Sequence, residues 1–249
     1  DGFNDLIIGS YVNAGNLNGR VYVYYGGHLL DTIPDVVING RGGESMGITV
    51  GSGGDVNGDG FEDIVVGAFN NDAGGFWAGK VYVFFGGNPM DTIPDCWLHG
   101  EEAGHSLGLY NVSFSRNVFD FDRTVTGTWR YQEPGRSGKI YVLYGGSPMD
   151  TLPDVCMIGY IDTSGGGGLG YWSATGGKVD GGDYGDILGG APGYNRGTGY
   201  LWLSALSMDT TADGWLTSGA TGFTNIGCRV ASAVDVNGDC YDEVMFSNY

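Results

Sequence analysis

Four acidic side chains and an asparagine crowd into residues 55–63, DVNGDGFED, with glycines at 58 and 60. Like charges held this close repel one another unless a cation sits among them. Asp55, Asn57, Asp59 and Asp63 fall at loop positions 1, 3, 5 and 9, a spacing that turns alternate side chains toward one point. The backbone carbonyl of Phe61, at position 7, offers another oxygen. Every donor is a hard oxygen, and the loop has no Cys or His. Such a set suits Ca2+, which takes about six to eight oxygens from a flexible loop, better than Mg2+ or a softer metal. A near copy, DVNGDCYDE at residues 235–243, presents Asp235, Asn237, Asp239 and Glu243, with the Tyr241 carbonyl at position 7. There Cys240 replaces a glycine and is expected to strain the turn. Both ions are read as structural, neutralising the acids and tying the loops down.

Other copies keep less of the pattern. Asp1 and Asp5 would be positions 5 and 9 of a loop whose earlier positions are absent, so a weak site or none is expected. KVDGGDYGD, residues 178–186, keeps Asp180 and Asp186 but has Lys178 at position 1, with Asp183 able to compensate only through a shifted loop. RNVFDFDRT, from residue 116, puts Arg116 and Val118 in ligand positions, and no metal is expected there.

The elements that position these loops repeat. GRVYVYYGGHLLDTIPDVVING begins at Gly19, GKVYVFFGGNPMDTIPDCWLHG at Gly79, GKIYVLYGGSPMDTLPDVCMIG at Gly138, and a worn copy at Gly197. The Asp-Thr pairs start at 31, 91, 150 and 209, a step of 59 or 60 residues. Met46-Gly47, Leu107-Gly108, Leu169-Gly170 and Ile226-Gly227 mark the other half of each unit. VYVYY, VYVFF and IYVLY are β-branched and aromatic runs between glycines, too short for helices. The Pro-Asp pairs set turns before a last short strand. A repeat of four short antiparallel strands predicts an all-β fold, a β-propeller of four-stranded blades with about 60 residues per repeat and four blade equivalents. The units are read as 1–45, 46–106, 107–168 and 169–225, with a partial unit at 226–249, together one domain or a fragment of a longer ring. The chain starts inside a motif and is read as a processed or excised piece, whose end blades neighbouring domains or subunits would complete.

The series Leu/Met-Gly, DxNxDGxxD, IVVGA and GKVYVFFGG resembles the FG-GAP repeat of integrin α-chain propellers and their bacterial relatives. The resemblance covers nearly the whole chain, in four copies of which two have near-complete loops. It implies that each acidic loop joins the first and second strands of a blade and binds Ca2+. It also implies protein ligands on a propeller face, although no interaction residue of that family carries over to this chain.

Bulk properties narrow the partners. The formal net charge of −18 from 29 acids and 11 bases leaves no basic stripe for nucleic acid and disfavours anionic membrane surfaces. No apolar run is long enough to insert in a membrane. Cys96, Cys156, Cys228 and Cys240 lack metal-site spacing and leave room for one or two disulfides of unassigned pairing. His28, His99 and His105 read as surface or turn residues, and no nucleophile elbow or HExxH is present. Trp77, Trp129, Tyr131, Tyr160, Tyr171, Trp172 and Tyr194 read as loop aromatics, serving either recognition or the gaps between blades. Residues 110–137 depart most from the repeat, and Asn111-Val112-Ser113 matches a glycosylation sequon.

The expectation is an extracellular or cell-surface adhesion or ligand-binding module, stabilised by calcium, whose ligand is a protein or a glycan. A carbohydrate lyase or hydrolase on the same scaffold, and a structural subunit of a surface layer or filament, are the alternatives.

Overall fold

The structure is a computed structural model. It describes residues 2–12, 17–28, 32–117, 121–160, 167–175, 177–193, 197–205, 207–217, 225–232 and 235–248. The described residues contain strands and no helix, so none is long and apolar enough to cross a membrane.

Among the described residues, seventeen strands form five antiparallel sheets in which neighbours in the chain are neighbours in the sheet. The first sheet holds β1 (Leu6–Ser10), β2 (Arg20–Tyr24) and β3 (Val36–Asn39). The second holds β4 (Met46–Gly54), β5 (Asp63–Ala68), β6 (Lys80–Phe84) and β7 (Cys96–His99). The third holds β8 (Val112–Ser115), β9 (Arg123–Glu133), β10 (Arg136–Tyr144) and β11 (Val155–Tyr160). The fourth holds β12 (Trp172–Thr175), β13 (Ile187–Ala191), β14 (Thr198–Trp202) and β15 (Gly214–Thr217). A pair, β16 (Arg229–Ser232) and β17 (Val244–Ser247), completes the set.

The aromatic runs form the third strand of each unit; in β6 and β10 both faces are covered, while in β2 and β14 several residues stay half-buried. Val81 and Val83 pack with Val65, Phe114 and Leu143 toward the third sheet, while Tyr82 and Phe84 pack with Val21, Val23 and Ile38 toward the first. A third core joins Val125, Ile140 and Met157 to Ile187 and Trp202. Alternating side chains therefore feed two cores, and the polar alternation of a half-exposed strand disappears. Burying each such side chain contributes about 1.5–3 kcal/mol.

The apolar-Gly marker has a steric cause. A Cβ on Gly67 of β5 would overlap the carbonyl oxygen of Gly108 in the next unit, and Gly9 and Gly190 face Gly47 and Gly227 in the same way. Gly79 and Leu107 form a parallel bridge, as do Gly19 and Met46, and Gly138 and Leu169. The start of each third strand is thus tied to the start of the next unit, and corresponding sheet ends lie on one side of the molecule. The Asp-Thr and Pro-Asp residues are turn acceptors. Asp35, Asp95, Asp154 and Asp213 each accept from the backbone N–H ten residues earlier, at 2.6 to 2.8 Å.

Several side chains stand differently from expectation. Trp129 and Tyr131 belong to β9 rather than to a loop, because the third sheet extends its central hairpin to a tight turn at Pro134-Gly135. Tyr131 is buried, Tyr160 ends β11, Trp172 starts β12, and Tyr194 lies outside the described residues. His105 is buried edge-on to Tyr131, and its carbonyl accepts from Thr128 Oγ1. Among the described residues no disulfide forms. Asn111 is buried with its amide against Ser173 Oγ, which leaves no room for a glycan on that nitrogen.

Candidate metal centre

The two full acidic loops are wound by their own side chains. Asp55 Oδ1 accepts from the N–H groups of Gly58 (2.7 Å) and Asp59 (3.1 Å), and Oδ2 from Gly60 (2.9 Å). Asn57 Oδ1 accepts from Asp59 N–H, and Asp59 Oδ1 from Phe61 N–H. The second loop repeats the scheme. Asp235 Oδ1 accepts from Gly238 and Asp239, and Oδ2 from Cys240, while Asn237 and Asp239 accept two residues on. Asp and Asn at alternate positions form such turns because their short side chains reach the backbone two or three residues ahead. These backbone donors hold the Asp235 carboxyl below its usual range, with the Cys240 N–H foremost.

Position 9 has a second task. Asp63 is fully buried. Its Oδ2 accepts from Val56 N–H at 2.7 Å and its Oδ1 from Gly86 N–H at 2.8 Å, joining the loop to the turn after β6. Asp186 joins Val179 to Ser204 in the same manner, and Asp5 accepts from Gly26. Burial pushes the Asp63 and Asp186 carboxyls up to about 6 against the pull of these N–H groups. Sequence reasoning treated position 9 only as a ligand. The signal for its strut role is Asp186, which persists in a loop whose position 1 is a lysine.

The two loops gather their acids differently. Asp235, Asp239 and Glu243 each bring a carboxylate oxygen within 4.8 Å of the others, the one such group of three among the described residues. Glu243 is one methylene longer than Asp63. It still accepts from Val236 N–H at 2.7 Å, and it also takes the Asn237 amide at 2.8 Å. Asp63 is drawn into the wall, and Asn57 donates to Asp59 instead. The donor set of residues 235–243 fits a hard divalent cation, since it consists of three carboxylates and an amide oxygen.

In the weaker loop, Asp180 accepts from Gly182 N–H, and Asp183 lies 3.9 Å from the Lys178 ammonium. Asp1 lies outside the described residues. In the third unit Ser115 pairs with Arg123 as Gly54 pairs with Asp63. This register puts Arg116 at position 1 and Arg123 at position 9. Arg123 is buried, donates to Ala205 O at 2.7 Å, and lies over the rings of Tyr144 (4.5 Å) and Tyr184 (5.2 Å). A guanidinium thus stands where the neighbouring units have a carboxylate.

The third unit's loop also braces the second. Asp122 N–H donates to Asp55 O at 3.1 Å while Asp55 N–H donates to Asp122 Oδ2 at 2.9 Å. Arg116 pairs with Glu62 at 3.0 Å. The same reciprocal pair links Lys178 and Asp242 across the fourth and fifth sheets.

Residues 46–84 match the FG-GAP repeat family. The chain is 33% identical to integrin alpha-6 of Gallus gallus over 118 residues, 45% of this chain and 10% of that one. It is 38% identical to integrin alpha-7 of Rattus norvegicus over 125 residues, 47% of this chain and 10% of that one. It is 32% identical to human integrin alpha-6 over 126 residues, 48% of this chain and 11% of that one. The chain therefore spans about a tenth of the length of these relatives. A rhamnogalacturonan lyase of Bacillus licheniformis superposes with a TM-score of 0.48 at 13% identity, over 94% of this chain and 49% of the lyase.

Proposed function

We propose that this chain, an FG-GAP repeat array related to integrin alpha chains, is a calcium-stabilised propeller segment that presents a ligand-binding surface in adhesion outside the cell. The observation that carries the calcium part is the convergence of Asp235, Asp239 and Glu243 within 4.8 Å on a loop wound by Asp235. Asp235, Asn237, Asp239 and Glu243 would hold the ion, with the Tyr241 carbonyl. Asp55, Asn57, Asp59 and Asp63, with the Phe61 carbonyl, would hold a second. The ion supplies charge neutralisation and a fixed loop; the strands supply the frame. In the fourth loop Lys178 competes for Asp183, so Asp180 and Asp186 would hold an ion weakly. Asp5 accepts from Gly26 N–H as Asp63 accepts from Gly86 N–H.

The relatives support the adhesion part, since integrin alpha chains are cell-surface proteins with protein ligands and partner subunits. Ring closure and any completion of the end blades by neighbouring domains or subunits belong to the same proposal. Thermal unfolding in Ca2+ and in chelator, beside ion counting by native mass spectrometry, tests it. Two bound calciums and a melting temperature raised by several degrees are expected. No bound ion and no shift would overturn the calcium reading.

A further inference from the structure

The two ends of the sheets carry unequal charge. One end gathers the loops between first and second strands and the turns between third and fourth. The other gathers the remaining connections. Of the described residues, the first end holds 20 acidic and three basic residues, the second five acidic and seven basic. The chain's excess acid thus lies almost wholly at the end with the metal loops.

At the other end, side chains from three sheets meet. The rings of Tyr110 and Tyr171 stack at 4.4 Å, and Trp129 stands edge-on to Tyr171 at 5.8 Å. Arg130 lies over the Trp129 ring at 5.2 Å and Arg229 over the Trp172 ring at 4.2 Å. Burial raises the Tyr110 hydroxyl pKa, and both guanidiniums lie close enough to oppose that rise. Both arginines are exposed, and among the described residues neither forms an ion pair. Lys139, by contrast, is paired with Glu101 at 2.8 Å. Arg229 also donates to the Cys228 carbonyl at 2.9 Å, and with no carboxylate among the described residues paired to either guanidinium both positive charges stay open to an incoming anion.

We propose that Arg130 and Arg229, with Tyr110, Trp129, Tyr171 and Trp172, bind an anionic glycan, a chain of sugar rings bearing carboxylates. The proposal rests on the ligand-binding reading above and gives it a place and a chemical class. Planar guanidiniums receive a carboxylate through paired hydrogen bonds. Tyr110, Trp129, Tyr171 and Trp172 are each half-buried, and the ring surface they leave open takes the apolar face of a sugar ring, which an acidic peptide does not offer. The acidic end repels a polyanion and steers it to this one.

The test is calorimetric titration of the whole chain in excess Ca2+. Three probes are used: a mannuronic-acid hexamer, a mannose hexamer of the same linkage, and hexaglutamate. The uronate is expected to bind at least about tenfold more tightly than the others and to weaken with salt. Arg130→Gln with Arg229→Gln should lower its affinity at least about tenfold, and Trp172→Ala separately should lower it, with unchanged circular dichroism. Equal binding of the mannose hexamer, tightest binding of hexaglutamate, or indifference to both sets of substitutions would overturn the proposal. So would a failure of all three probes to bind. A protein or neutral glycan retained elsewhere on the chain would leave the ligand-binding reading standing while this site fell.

Discussion

Cys240 and Gly60 occupy the same place in twin loops, and both backbones turn through the left-handed region, at φ 73° and 88°. That region costs a side chain about 1–2 kcal/mol and glycine almost nothing. Cys240→Gly is therefore expected to stabilise the protein by about 1 kcal/mol in urea denaturation at fixed Ca2+; a loss would show that the turn is unstrained. Gly58 and Gly238 make the complementary comparison. Both are left-handed, but a Cβ on Gly58 would meet the Phe121 ring, whereas Gly238 faces open space. Gly58→Ala should cost about 1 kcal/mol more than Gly238→Ala in the same measurement, and equal costs would sink the steric account. The loop was legible in the sequence because its winding is local, each Asp or Asn reaching backbone a few residues ahead. The strut at position 9 was not, since its partners Gly86 and Ser204 lie 23 and 18 residues further along the chain.

The strands were legible wherever residue type and glycine boundaries agreed, as in β2, β6 and β10. The far half of β9 escaped because TGTWRYQE mixes small, polar and aromatic residues, and burial of Thr126 and Thr128 came from packing that no local pattern announces. Its one signal was Pro134-Gly135, a turn pair between two runs that could be read as a hairpin. Within this sheet Arg123 takes the acid's place but reaches further: Asp63 and Asp186 tie the second strand to the turn after their own sheet's third strand, whereas Arg123 ties it to the turn after the next sheet's third strand. Arg123→Ala removes its hydrogen bond and its stacking on two tyrosines, and should cost about 2–4 kcal/mol in urea denaturation. Arg123→Lys should recover only part of this, because an ammonium lacks the planar fork. Neither change should alter the number of calciums counted by mass spectrometry; a lost ion would mean that this unit has a site of its own.

At the scale of the whole molecule, the repeat announced its sheets and their order, because each copy carries the same strand and turn chemistry. The crowding of acid at one end was hidden in a single net charge and emerged only when strand direction sorted the loops. That crowding has a thermodynamic consequence. Raising NaCl from about 20 mM to about 500 mM shortens the screening length severalfold. The melting temperature in chelator should then rise, and rise by more than it does in Ca2+, because bound ions already neutralise the acids. Equal salt effects in both conditions would contradict this. The reciprocal bonds between Asp55 and Asp122, and between Lys178 and Asp242, carry a different consequence, one of inheritance. Each joins a loop to its neighbour, so a duplicated copy that loses its own ligands keeps its shape on borrowed support. On the proposed calcium reading, such an array can shed its ions copy by copy without a copy collapsing, and the units so released are where new side chains can accumulate first. The third unit carries Arg116 and Arg123 at the two ends of the corresponding run, and two of its aromatics stand at the opposite rim.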